Sequence, residues 1–379
     1  WVLMYDVYSV TPHNFDFIET FDFVNFKNLG RFNEGVMKTT NFTAPKHGAV
    51  IHLTMEEAER LESYWQKNKR KYVSTASIRK NPILPGFYAD PEVMYSEKTG
   101  RYYIYPTTDG IPNWGSTAFK AFSSDDLVNW KEEGVILDLK DVSWAKKNAW
   151  APCIIEKKQA DGNYKYYYYY TAEQQIGVAV ADSPTGPFID SGKPLIDKVR
   201  PGGMSKGQNI DPDVFTDPAS GKTYLYWGNY YMAVCELNED MVSIKPNTTK
   251  ILIDNDAYYS EAAHVFYRNG YYYFTWSKND TRSPEYQVRY VRAKSPVGPI
   301  DASKSEVILC KKPEQGIFGT GHHSVLPLPN KNEWRIVYHR FKFPDAVTMG
   351  RNAGFHREVC IDKLEFDEND SIIKIVPTL

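Results

Sequence analysis

The stretch DPEVMYSEKTGRYYIYPTT, Asp90–Thr108, reads as a polar loop opening onto an aromatic strand, a TG turn and a second aromatic strand. Turn formers between two apolar runs are the mark of a β-hairpin. The same plan returns four more times. Openings stand at Asp90 in ADPEVMY, Trp150 in WAPCIIE, Asp211 in IDPDVFTD, Glu261 in SEAAHVFY and His323 in GHHSVLPL, at intervals of 60, 61, 50 and 62 residues. The hairpin turns are TG, DG, SG, NG and NKNE, and a more polar third strand follows each pair. SPTGPF and SPVGPI recur as matching loops in the second and fourth repeats. A period of this size marks the blades of a propeller or a similar array. The expected fold is all-β, with a five-bladed β-propeller over residues 81–379. A β-sandwich is the alternative, but it gives no reason for the repeat.

Residues 1–80 start no blade. ETFDFVNFKNLG (19–30) aligns with SSDDLVNWKEEG (123–134) at a constant offset of 104, and WVLMYDVYS before it resembles the middle strand of a blade. This N-terminal segment is expected to be the tail of an upstream propeller-type module, with strands and one helix. The helix is placed on MEEAERLESYWQKNKR, where Thr54 and Glu57 form a capping-box pattern. Leu61, Tyr64 and Trp65 would give it one apolar face.

Aromatic residues make up 15% of the chain, with 28 Tyr and 9 Trp. They suit strands packed between sheets and equally suit stacking on sugar rings. A net charge of −2 offers no case for nucleic acid or an anionic membrane. No apolar run approaches the roughly 18 residues of a membrane span. Cys153, Cys235, Cys310 and Cys360 lie far apart without a CxxC pair, which argues against zinc and for free thiols. The sequons at Asn41, Asn247 and Asn279 read as chance matches. The chain opens on Trp1, so removal of an upstream signal peptide or domain is expected. A secreted or periplasmic bacterial location is expected. The sequence carries no signal of oligomeric state.

The chemistry rests on Asp90, Asp211 and Glu261, each at or just before the innermost strand of a repeat. A propeller brings such positions together on its axis. Hydrolysis of a glycosidic bond uses one carboxylate as base and one carboxylic acid at the leaving oxygen, roughly 6.5–9.5 Å apart where the configuration inverts. A third carboxylate nearby keeps the acid protonated through like-charge repulsion. Asp-Pro pairs are also ordinary turn formers; three acids in register favour chemistry.

NPILPGFYADP, WAP, NIDPDVFTD, SEAAHVF, GTGHHSV and GFHREVCIDKLEFDE, in this order, resemble the signatures of glycoside hydrolase family 43. The resemblance covers residues 81–379 and implies a five-bladed propeller, inversion of the anomeric centre and no cofactor for the chemistry. It implies that Asp90 is the general base, Glu261 the general acid and Asp211 the group that raises and orients the acid. Arg357 of HRE matches an arginine that binds sugar hydroxyls; a blade-closing salt bridge is its other reading. His322 of GTGH matches an axial histidine near a calcium ion or water, so it is the candidate metal ligand and calcium the candidate structural ion. A satisfied core histidine is the alternative. Trp114 in IPNWGS corresponds to an aromatic lining the pocket, or else to a surface packing residue, and Phe87 is expected to wall the same subsite. Two departures stand out: SEAAHV carries alanines where many members read EGPH, and Cys153 replaces a polar residue after WAP.

The expected partner is an arabinose- or xylose-containing oligo- or polysaccharide, with neither nucleic acid nor membrane. The expected activity is that of an inverting, exo-acting α-L-arabinofuranosidase on plant cell-wall material, with a β-D-xylosidase as the alternative. Loops 106–117 and 343–356 are long enough to close one end of a groove, which favours exo over endo action. The rival from another class is a non-catalytic sugar-binding propeller, for which an acid, a base and a modulator together have no use.

Overall fold

Short apolar runs that alternate inward and outward, bounded by Gly, Asn and Asp, fold into antiparallel hairpins throughout the described residues. The computed structural model describes residues 2–7, 14–31, 54, 56, 81–254 and 257–379. Two compact units divide the chain, Trp1–Ala76 and Ser77–Leu379.

In the first unit β1 (Val2–Val7), β2 (Asn14–Glu19) and β3 (Lys27–Arg31) form an antiparallel sheet in chain order. The turn between β2 and β3 repeats a turn of the second unit bond for bond. Asp22 accepts the N–H groups of Val24 (2.9 Å) and Asn25 (2.8 Å), and Thr20 Oγ1 accepts that of Phe23 (2.9 Å). At the offset of 104, Asp126 accepts from Val128 and Asn129 (both 2.8 Å) and Ser124 Oγ from Leu127 (2.9 Å). Phe23 and Leu127 both take positive φ, 58° and 63°. Apart from Thr54 and Glu56, the stretch expected to be helical lies outside the described residues.

The second unit is a five-bladed propeller. Blade 1 comprises β4 (Tyr88–Ser96), β5 (Arg101–Thr108), β6 (Ala118–Ser124) and β7 (Lys131–Asp138). Blade 2 comprises β8 (Trp150–Lys158), β9 (Tyr164–Ala172), β10 (Gln175–Ala181) and β11 (Ile189–Asp190). Blade 3 holds β12 (Asp213–Thr216), β13 (Thr223–Trp227), β14 (Met232–Glu236) and β15 (Lys250–Ile253). Blade 4 holds β16 (Glu261–Arg268), β17 (Tyr271–Lys278), β18 (Gln287–Ala293) and β19 (Glu306–Leu309). Blade 5 is the three-stranded sheet β20 (Gly321–Pro327), β21 (Trp334–Phe341) and β22 (Arg357–Leu364). Each sheet runs in chain order, so every blade is a meander.

The tyrosine run in β9 shows how the blades stick together. Tyr166, Tyr168 and Tyr170 pack with Tyr105 and Phe119 of blade 1, while Tyr167 and Tyr169 face Leu225 and Trp227 of blade 3. One strand with period-two alternation thus supplies two inter-blade cores. Burying each such ring contributes roughly 1.5–3 kcal/mol.

At the inner end of each blade one residue takes positive φ: Asp90 (49°), Ala151 (40°), Asp211 (59°), Ala262 (58°) and His322 (43°). The register slips by a bulge at this point in blades 1, 2, 4 and 5. The equivalent residues therefore correct the sequence reading, which set Trp150, Glu261 and His323 in register with Asp90 and Asp211. The bulge adds a residue where the strand splays from its partner, so Trp150 and Glu261 stand one position before the equivalent point and His323 one after.

The N–H of each bulge residue bonds across to a side chain of the preceding blade. Ala151 donates to Thr107 Oγ1 (2.7 Å), Asp211 to Thr171 Oγ1 (3.0 Å), His322 to Ser277 Oγ (2.8 Å) and Asp90 to His339 Nδ1 (3.2 Å). Ala262 departs from this pattern, because Gly228 occupies the corresponding place in blade 3. A Cβ on Gly228 would lie 2.3 Å from the Tyr231 carbonyl oxygen, and its φ is +124°. The Asp211 carboxylate takes over, accepting the Ala262 N–H through Oδ2 at 3.1 Å. The ring closes at blade 5, where Asn81 clasps Ile361 through both main-chain groups (Ile361 N–H to Oδ1, 2.7 Å; Nδ2 to the carbonyl, 3.1 Å) and reaches Thr378 Oγ1 (3.0 Å).

Candidate active site

In blades 1, 3 and 5 the positive-φ residue itself, Asp90, Asp211 or His322, reaches a cavity of about 400 Å³ at the end of the axis. In blades 2 and 4 the bulge residue is alanine, and the residue before it, Trp150 or Glu261, lines the cavity instead. The remaining wall comes from Arg357, Trp114, Asn229 and the run Lys278–Arg282, with Gln208, Ile210, Tyr230 and Ser260.

Asp90 is buried against three cationic or imidazole groups. Its Oδ1 lies 3.0 Å from Arg357 Nη1, 3.1 Å from His322 Nδ1 and 3.2 Å from His339 Nδ1. Burial opposes ionisation, but the charges of Arg357 and His322 and the His322 hydrogen bond outweigh it and hold the carboxyl well below its usual range. Arg357 is fixed in turn by Asp109, which accepts its N–H and its Nε–H at 2.9 Å each. Burial and the Arg357 charge push His339 down to about 4, leaving it neutral. Burial would neutralise His322 too, but Asp90, Asp211 and Glu261 raise it to about 9.

Asp211 and Glu261 show the opposite behaviour. Burial together with the charges of Glu261 and Asp90 pushes Asp211 up to about 7, against the pull of His322 and the Ala262 N–H. Burial and Asp90 also raise Glu261, against His322, Tyr286 and Asn229. The pair therefore retains a proton under conditions where Asp90 has none. Glu261 is gripped at both oxygens, Oε1 by the Tyr286 hydroxyl (2.8 Å) and Oε2 by Asn229 Nδ2 (2.9 Å).

Trp114 lines the cavity from a 3-10 turn, its indole N–H donating to the Gly354 carbonyl (3.1 Å) and its ring 4.4 Å from Phe355. This contact joins the loop after β5 to the loop before β22, in which α1 (Ala346–Met349) lies. The Arg282 guanidinium sits 5.4 Å over the Trp114 ring. Phe87 is not among the cavity-lining residues; it stands edge-on to His356 at 5.1 Å and fills the space beside Gly110.

Calcium takes roughly six to eight oxygen ligands. Beside His322 the described side chains offer Asp90, which is already engaged with Arg357. Among the described residues, side chains alone thus build no calcium shell at His322. Glu92, Cys153 and Asp213 form a group whose ligand atoms lie within 4.8 Å of one another. Burial raises Glu92 and Cys153 well above their ordinary values, which keeps both protonated. Asp213 is taken up by His264 Nδ1 (2.8 Å) and the Val265 N–H (2.9 Å).

The sequence reading missed Asn229, Tyr286, His339, Asp109, Thr171 and the run after β17. Thr107, Thr171 and Ser277 had a visible signal, a hydroxyl near the end of the second strand of successive repeats. Asn229 and Tyr286 lie in loops with no local mark.

An ionised carboxylate and a proton-retaining carboxyl pair around one sugar-sized cavity define a class of enzymes that hydrolyse glycosidic bonds. The family model described as glycosyl hydrolases family 43 matches residues 79–372. A β-D-galactofuranosidase from Aspergillus niger is 32% identical over 328 residues, covering 84% of this chain and 91% of its own length. A xylosidase/arabinosidase from Bacteroides ovatus is 28% identical, covering 78% and 97%. The solved structure of an α-L-arabinofuranosidase from Clostridium thermocellum superposes with a TM-score of 0.61 at 30% identity, covering 76% of this chain and 94% of that one. The chain belongs to glycosyl hydrolase family 43.

Proposed function

We propose that this protein is an inverting, exo-acting α-L-arabinofuranosidase acting on arabinose-bearing plant cell-wall oligo- or polysaccharide. The observation that carries the chemistry is the split between an ionised Asp90 and a proton-retaining Asp211–Glu261 pair around one cavity. Asp90 takes a proton from water as the water oxygen bonds the anomeric carbon. Glu261 gives its proton to the glycosidic oxygen as the carbon–oxygen bond breaks. Asp211 keeps Glu261 protonated and is itself oriented by the Ala262 and Thr171 bonds. Arg357 holds Asp90 ionised and faces the cavity for a sugar hydroxyl. The contact of Trp114 with Phe355 and Gly354 supports a site closed on one side, as release of terminal sugars requires. No step passes through a metal.

The relative from Aspergillus niger favours a second reading, hydrolysis of β-D-galactofuranosides. The two furanose rings present the same hydroxyl arrangement and differ by one exocyclic carbon. The test is hydrolysis of aryl α-L-arabinofuranoside, β-D-galactofuranoside and β-D-xyloside side by side, with wild type and Glu261→Gln. Turnover of the arabinofuranoside, falling about 10²- to 10⁴-fold in the variant, is expected. Preference for either other glycoside reassigns the sugar. Binding of oligosaccharides without any turnover makes the protein a sugar-binding propeller instead.

A further inference from the structure

Glu261 must hold its proton on the oxygen that faces the glycosidic bond, and nothing in a carboxyl group alone decides which oxygen that is. Here the two oxygens have different neighbours. Asn229, the donor to Oε2, lines the cavity; Tyr286, the donor to Oε1, does not. Tyr286 is fully buried. Its ring lies parallel to that of His339, at 3° and 5.5 Å, and His339 is the acceptor for the Asp90 N–H. Gly321 clears the space for the ring: a Cβ there would lie 2.4 Å from Tyr286 Cδ1 and Cε1. The Ser277 hydroxyl, which accepts the His322 N–H at 2.8 Å, is also a hydrogen-bond partner of the phenol.

We infer that Tyr286 is a positioning residue for the general acid, holding Oε1 of Glu261 as a permanent acceptor so that the transferable proton resides on Oε2 beside the cavity. The phenol O–H has one proton to donate and directs it to Oε1. A proton on Oε1 would face that O–H and break the bond. On Oε2 the proton leaves the phenol bond intact and lies beside the cavity, the Asn229 amide bonding the remaining lone pair of that oxygen. In the reaction the Oε2–H bond breaks, the proton passes to the glycosidic oxygen and the carbon–oxygen bond opens. The carboxylate left behind accepts from Tyr286 and Asn229 together. The phenol itself gains and loses no proton.

This inference rests on the glycosidase reading and is tested with whichever glycoside wild type cleaves; wild-type silence on every glycoside would sink that reading separately. Tyr286→Phe keeps the ring against His339 and Gly321 and removes only the hydroxyl. Two substrates are compared: an alkyl glycoside, whose leaving group needs the proton, and a 2,4-dinitrophenyl glycoside, whose leaving group does not. Turnover of the alkyl glycoside is expected to fall roughly 10- to 100-fold, part of a full general-acid contribution. Turnover of the dinitrophenyl glycoside is expected to stay within about threefold, with KM little changed, and it doubles as the folding control. Equal loss on both substrates assigns Tyr286 to the fold or to the Asp90 side through His339. No loss on either shows that the bond does not position the acid. Each of these two results overturns the inference.

Discussion

Asp90 and Glu261 are carboxyls buried on one axis, and their neighbours drive them apart: Arg357 and His322 hold Asp90 ionised, while burial beside other acids keeps one proton on the Asp211–Glu261 pair. The sign of the pH dependence follows. On the proposed mechanism activity needs Asp90 without its proton, so the acidic limb of kcat/KM is expected below the usual carboxylate range. It also needs the pair to hold its proton, so activity is lost as pH rises past a limb set above the usual carboxylate range. Asp211→Asn removes the like charge that keeps the proton in place, and the basic limb is expected to move to lower pH in a pH–rate profile. A limb that stays put would show that burial alone sets the acid. Asp90→Asn should lower kcat by about 10²- to 10⁴-fold, measured on the best aryl glycoside. The three acids were legible because each stands at a repeat opening, two of them before Pro91 and Pro212. Asn229 and Tyr286 were not, because they reach Glu261 from loops that no local pattern marks, and Asp109 was not, because it bonds Arg357 from 248 residues away.

At the scale of the strand, the bulge and its cross-blade bond are what aim the acids. Blade recurrence could be read from turn formers and aromatic alternation, yet the alignment slipped by one residue in three blades. A bulge adds a residue that alternation alone does not count. The prolines were the better guide, since Pro91, Pro152 and Pro212 each follow the positive-φ residue of their blade. Thr171→Val tests the device, because it leaves the buried Asp211 N–H without its acceptor. An orphaned buried donor costs about 1–3 kcal/mol, which for a unit of this size lowers the unfolding temperature by roughly 2–10 °C. A lowered kcat is expected with it, as Asp211 loses its alignment. Unchanged calorimetry would mean that the bond contributes nothing to the ring.

For the whole propeller the decisive feature is how the ring shuts. The sequence reading gave the number of blades but not the latch, since Asn81 precedes the first strand and lies 280 residues from its partner Ile361. Asn81 is buried and serves β22 and Thr378 at once. Asn81→Ala is expected to destabilise the unit by about 2–4 kcal/mol, a few buried hydrogen bonds' worth. Chemical denaturation would show this as a lower midpoint at unchanged slope. Because Asn81 and Thr378 touch, the propeller has no intrinsic first or last blade. A short tether between them would make residues 81–378 a loop, and cutting that loop at an outer hairpin such as Asp161–Gly162 would give a circular permutant of the propeller unit with the acids in place. The order of blades along the gene is then an accident of where the circle was opened, while the order around the axis is what the chemistry requires.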